Sequence, residues 1–155
     1  MLTQKTLTLD EAMRAVNAAI DYAKSKDHVG IAVFVVDKNG NAIVSARMDN
    51  RSDRFYRSAH RKAYSAAIFE RDTSAIIDLH DRLDEEGHRG PMEWNDPMLT
   101  TLPAGYVVMA GDEVLGAISV AGGSRGDVSD VAIADVAFAA LGEGYHHQPG
   151  QRGHA

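Results

Sequence analysis

The chain contains no cysteine, which excludes disulfides, iron–sulfur clusters and thiol catalysis and leaves any metal to His, Asp, Glu or Met. No apolar run approaches the roughly 18 residues that a membrane-spanning helix needs, so no membrane is expected as a partner. Positive charge is not in excess: the formal net charge is -6, which argues against nucleic acid as a partner, because phosphate binding needs a dense basic surface. The amino end has no apolar stretch leading to a small-residue cleavage site. A cytoplasmic protein is therefore the expectation, although a mature secreted form would read the same. Also missing are a P-loop, a dinucleotide fingerprint, a His-Glu-x-x-His pair, a nucleophile elbow and carboxylates at a recognised catalytic spacing. No internal period points to a solenoid.

What is present reads as one globular domain: 155 residues, 45% hydrophobic and 25% charged. Thr8 and Glu11 form a capping box ahead of apolar residues at helical spacing, which predicts a helix over Leu9 to Lys24. Ile31 to Asp37 is apolar on both faces of a strand. Asp37 to Asn41 holds an Asn-Gly turn, and Ala42 to Met48 returns as the second arm of a hairpin. Tyr56 to Phe69 carries a stripe of small residues, Ala59, Ala63 and Ala66, that lets a helix lie close to a sheet or a partner helix. Thr73 is placed as the cap of a third, shorter helix through Leu79, and Asp84 to Leu99 as a long loop holding the single Trp94. A second hairpin covers Gly105 to Val120. The last helix spans Asp127 to Leu141. This order predicts an α+β fold, an antiparallel sheet flanked by helices, in a single domain of residues 1–141 with a flexible C-terminal tail at 142–155.

The strand Val114 to Val120 runs into Gly122, Gly123 and Gly126, the strongest pointer to a ligand. The glycines allow the backbone to approach a bound group, Asp127 is placed to cap the next helix, and free N–H groups at that helix start favour an anion. A strand-to-helix turn that needs glycine for geometry alone fits the same residues. Arg47 ends a strand face shared with Ser45; its guanidinium suits a carboxylate, or a local pair with Asp49 or Asp53. His60 lies two residues before Lys62 on the alanine-striped helix and is a candidate general base or iron ligand, with an exposed helix histidine as the alternative. His80 and His88 flank an acidic stretch read as a solvated face. His28 is assigned to a turn, and His146, His147 and His154 to a solvated tail.

Five segments in order resemble the GlcG/HbpS-like family: Leu7 to Ala12, Val35 to Gly40, Ala46 to Asp49, Ala59 to Ala66, and the strand and glycine loop Val114 to Gly123. The resemblance covers Leu7 to Leu141. It implies a profilin-like or PAS-like sandwich, assembled as a homo-oligomer with a pocket near the subunit interface, that binds heme or another planar anionic small molecule. Arg47, Asp49, Lys62 and the Gly122/Gly123 loop match the family's positions. The chain departs from the family at Thr100 to Gly105, where relatives carry a Gly-Gly-x-Pro turn, and this reshapes the pocket mouth.

Two functions follow as expectations. In the binding reading, Arg47 and Lys62 pair with the ligand's carboxylates, the Gly122, Gly123 and Asp127 region approaches it, and His60 reaches the iron. In the alternative, a cofactor-independent lyase, isomerase or hydrolase acts on a small carboxylic acid, aromatic or otherwise, with Arg47 holding the carboxylate and His60 or Lys62 moving a proton.

Overall fold

The computed structural model describes residues 1–89 and 94–152. Four strands, β1 (Ala32–Val36), β2 (Ala42–Arg47), β3 (Gly105–Ala110) and β4 (Glu113–Ala121), form one sheet in the order β2-β1-β4-β3. All three pairings are antiparallel. Helices α1 (Leu9–Ser25) and α4 (Asp130–Ala139) cover one face; α2 (Asp53–Phe69) and α3 (Thr73–Glu85) lie on the other. The expected α+β sandwich is what the chain forms.

Strand alternation decides which residue meets which layer. Val33, Val35, Val108, Ile118 and Val120 pack toward α1 and α4, whereas Ala32, Phe34, Val36, Val107 and Ala117 pack toward α2. A strand covered on both sides has no polar face to spare, hence the unbroken apolar runs. The capping box is formed as expected, with Thr8 Oγ1 accepting from Glu11 N at 3.1 Å and Glu11 Oε1 accepting from Thr8 N at 2.9 Å. Asp37 Oδ1 accepts from the N–H groups of Asn39 and Asn41 and holds the β1–β2 turn, where Gly40 takes φ +82°.

The small-residue stripe does what its pattern suggests. Ala59, Ala63, Ala66 and Ala67 are buried against the sheet, and Ser119 Oγ donates to the Ala59 carbonyl. A Cβ on Gly105 would stand 2.7 Å from the Thr73 side chain and press on the α2 backbone at Lys62, so helix and strand meet at glycine.

Several boundaries differ from expectation. The position ahead of helix α3 is Asp72, not Thr73, and the helix runs on to Glu85, so the loop expected from Asp84 starts later. Within that expected loop, Gly90 and Pro91 lie outside the described residues, while Trp94 packs on Phe69 with ring centroids 4.9 Å apart. The final helix begins at Asp130 under the Ser129 cap, because Gly126–Val128 forms a separate 3-10 turn. The stretch after Gly142, expected as a mobile tail, is laid against the body: His146 pairs with Met109 on the β3 edge, Gly150 N donates to Ser74 Oγ at 2.9 Å, and Arg152 reaches Glu85 at 2.9 Å. His154 lies outside the described residues.

Candidate functional site

The glycine loop after β4 sits where α2, the Leu102-Pro103 segment and the start of α4 converge. One depression there, about 250 Å³, is lined by Arg54, Phe55, Lys62, Leu102, Pro103 and Gly123. A second, about 510 Å³, is lined by Pro103, Ser124, Arg125, Ser129, Asp130 and Val131. Both include Pro103 and Asp130, so they are neighbouring depressions that meet at those residues, a pair called the groove from here on.

Lys62 is the buried cation of this groove, 3% exposed. Its Nζ donates to the Val120 carbonyl at 2.9 Å and to Asp130 Oδ2 at 3.0 Å. Asp130 Oδ1 in turn accepts from Gly123 N at 3.1 Å. The three groups tie α2, the end of β4, the loop and α4 together. Burial lowers the lysine's pKa, and the Asp130 carboxylate opposes that shift. An ammonium has three donors, so one N–H remains beyond the two bonds described.

The loop is shaped by close approach. A Cβ on Gly122 would lie 2.8 Å from Ile31 Cγ2 and 2.9 Å from His28 Cε1, and Gly123 takes φ +74°. Arg51 braces it, donating from Nη2 to the Gly122 carbonyl at 2.7 Å while its guanidinium lies 4.0 Å over the Phe55 ring. Arg54 stacks on the same ring at 4.7 Å. Exposed on the rim, Arg54 and Arg125 have no acidic partner among the described residues.

The structure brings Lys62, Gly122 and Gly123 together and separates them from the other candidates. Asp127 does not cap α4. It sits inside the 3-10 turn with its carboxylate 3.4 Å from Lys26 Nζ, and Ser129 supplies the cap by accepting from Ala132 N at 3.1 Å. Arg47 lines neither depression; it is 3.7 Å from Asp53, the local pairing that competed with the carboxylate clamp. His60 is on the side of α2 away from Lys62. Its ring stacks on Phe34 at 4.6 Å, and Nε2 lies 3.4 Å from the carbonyl of Gly40 in the β1–β2 turn. Successive helical residues turn by about 100°, so two positions apart face nearly opposite ways.

Sequence reasoning missed Asp130, Arg54, Phe55 and Arg125. Ser129-Asp130 ahead of an alanine-rich run was a legible cap signal. Nothing local marked Phe55, which joins the groove beside Arg54 because α2 begins three residues before the expected start.

The family model described as haem degrading protein HbpS-like matches residues 7–139. The chain belongs to the HbpS-like family. HbpS of Streptomyces reticuli, solved as a double mutant, is 33% identical, with a TM-score of 0.76 and 92% of each chain covered. PduOC, solved as a heme complex, is 23% identical with a TM-score of 0.75, covering 92% of this chain and 99% of that one. Klebsiella pneumoniae ORFY is 23% identical with a TM-score of 0.74, covering 91% and 94%. At 23% the last two show the shared fold alone. No curated protein matches the chain. Among the described residues no helix is long and apolar enough to cross a membrane, and no three His, Cys, Asp or Glu side chains converge as a metal site.

Proposed function

We propose that this HbpS-like protein binds a planar anionic small molecule, heme or a close analogue, in the groove between α2, the Gly122/Gly123 loop and the start of α4. One observation carries the reading: two arginines without acidic partners, Arg54 and Arg125, flank an apolar wall of Phe55, Leu102, Pro103 and Val131. Such a wall takes a flat ring, and forked guanidinium groups take carboxylates. The spare N–H of Lys62 adds a third donor. Membership of a family described by haem, and the fold shared with a protein solved with heme, favour a tetrapyrrole over other flat acids.

These residues fit the carboxylates and ring faces of heme. They include no His, Met or Tyr, so the groove of one chain offers no side-chain ligand of those types to the iron. Bound heme would supply iron-centred redox chemistry; this chain's residues hold and orient its organic part. A second copy packed along the open side would enclose the ligand's far face, the homo-oligomer that the family resemblance implies.

The test is a titration with hemin and with iron-free protoporphyrin. Both are expected to bind with affinities within about threefold. The double variant Arg54→Ala/Arg125→Ala is expected to lose about tenfold for each, roughly 1.4 kcal/mol. Hemin binding that survives this variant and disappears in His60→Ala would move the ligand to the Gly40 side of α2.

A further inference from the structure

A second cavity, about 180 Å³, shares Pro103 and Val131 with the groove but has a different chemistry. It holds several waters, and Pro149 on its wall is exposed, so the far end of a larger ligand can extend into solvent. Its wall is built where the C-terminal stretch crosses the start of α3, bringing His147, Pro149 and Gly150 against Asp72 and Ser74.

Asp72 is 1% exposed and stands at the cap position of α3, yet its carboxylate makes no cap bond. Oδ1 instead accepts from Val107 N at 3.0 Å and Gln148 N at 3.2 Å, and Oδ2 lies 2.5 Å from His147 Nδ1. A carboxylate fixed from two sides accepts from Nδ1–H, which leaves the lone pair of neutral His147 on Nε2. The imidazole is clamped by Tyr106, stacked at 4.5 Å and 5°, and by the edge of Phe138 at 4.7 Å. Nε2 has no hydrogen-bond partner among the described residues. Ser74 Oγ accepts from Gly150 N, so its own proton is uncommitted. Ala104, also in the wall, is held at φ +80°, a conformation that non-glycine residues adopt at a cost.

The charges select the ligand. Asp72 and Asp135, the latter accepting from Tyr106 Oη at 2.5 Å, place two carboxylates around one histidine. Carboxylate substrates are disfavoured here, in contrast to the arginine-flanked groove.

We propose that this cavity is a general-base site, in which His147, oriented by Asp72, activates a water for hydrolysis of a small uncharged acyl ester. The water oxygen bonds to the acyl carbon as its proton passes to Nε2. The carbon–alkoxy bond then breaks, and Nε2 returns that proton to the leaving alcohol, so ester and water become acid and alcohol with the imidazole regenerated. The Ser74 hydroxyl donates to the oxyanion formed between the two steps. The carboxylate product is repelled by Asp72 and Asp135. Asp72 is a positioning residue, and its hydrogen bond raises the His147 pKa above the ordinary 6.5; burial opposes this, and the Asp72 and Asp135 charges add to it. Tyr106, its pKa pushed far up by burial and by Asp135, stays protonated. Because the base must be neutral, the rate rises with pH through a value above 6.5.

The experiment is release of nitrophenolate from p-nitrophenyl acetate by the full chain, across pH, for the wild type, His147→Gln, Asp72→Asn and the surface control His80→Gln. His147→Gln is expected to lose at least tenfold of the protein-dependent rate. Asp72→Asn is expected to lose rate and move the inflection to lower pH, and His80→Gln to change nothing. Retained rate in a folded His147→Gln protein overturns the proposal, as does a wild-type rate no greater than that of equimolar free imidazole. If His147→Gln fails to fold, the wild-type profile decides: an inflection above 6.5 supports the site and a flat profile removes it.

Discussion

Replacing Lys62 with methionine keeps the length of the side chain and removes its charge, which isolates the buried ion pair at the centre of the groove. The change leaves the Val120 carbonyl and the Asp130 carboxylate without their donor. Removing one partner of a fully buried pair costs about 3–5 kcal/mol. The Asp130 side chain is 18% exposed and recovers some hydration, so the lower end, about 3 kcal/mol, applies. For a domain of this size that is a fall in melting temperature of roughly 6–12 °C. The double variant Lys62→Met/Asp130→Asn removes the stranded charge and is expected to recover part of the loss. The pH dependence has a definite sign. Burial holds the folded-state pKa of Lys62 below its unfolded value, so between the two the unfolded chain binds more protons and wild-type stability rises with pH. Lys62→Met loses that rise. Urea melts at several pH values measure both effects, and a single variant within 1 kcal/mol of wild type at neutral pH would refute the reasoning.

Gly122→Ala drives a Cβ against Ile31 and His28 and is expected to cost about 1–3 kcal/mol, together with porphyrin affinity; unchanged melting and binding would show that the loop has slack. Arg47→Ala, remote from both depressions and paired with Asp53, is expected to change hemin affinity by less than about twofold, whereas a tenfold loss by titration would return Arg47 to the site. The raised pKa of His147 means that the charge-assisted part of its tie to Asp72 contributes fully below about 6.5 and is lost as pH rises through the folded-state value, leaving the weaker neutral Nδ1–H bond. Amide exchange at residues 145–152, corrected for intrinsic rates, should therefore accelerate across that rise in wild type and not in Asp72→Asn; a rate independent of pH in both would contradict it.

The sheet and its helices were legible because each rests on a local pattern: the capping box at Thr8 and Glu11, the Asp37 to Asn41 turn, the doubly apolar runs of β1 and β4, and the alanines of α2. The site was legible only in part. Glycine marks a close approach wherever it occurs, so Gly122 and Gly123 stood out. Lys62 stood out too, but its partner Asp130 is 68 positions away in the chain and no spacing announces such a pair. Arg47 and His60 carried suitable chemistry without position. A strand end and a helix azimuth place them, and the packing of α2 turned His60 toward Gly40. The contacts of the tail were illegible for a related reason. Gly, Gln, His and Pro after the last helix have the composition of a mobile end, whereas the anchors that hold it, Asp72, Ser74, Asp78 and Glu85, all lie on or beside α3.

The most direct test of the central claim is a crystal structure of the protein with bound hemin. The porphyrin is expected between Phe55, Pro103 and Val131, with its carboxylates on Arg54 and Arg125 and with His60 still stacked on Phe34. A porphyrin seated against Gly40, with His60 turned to the iron and the groove beside Gly123 vacant, would contradict it.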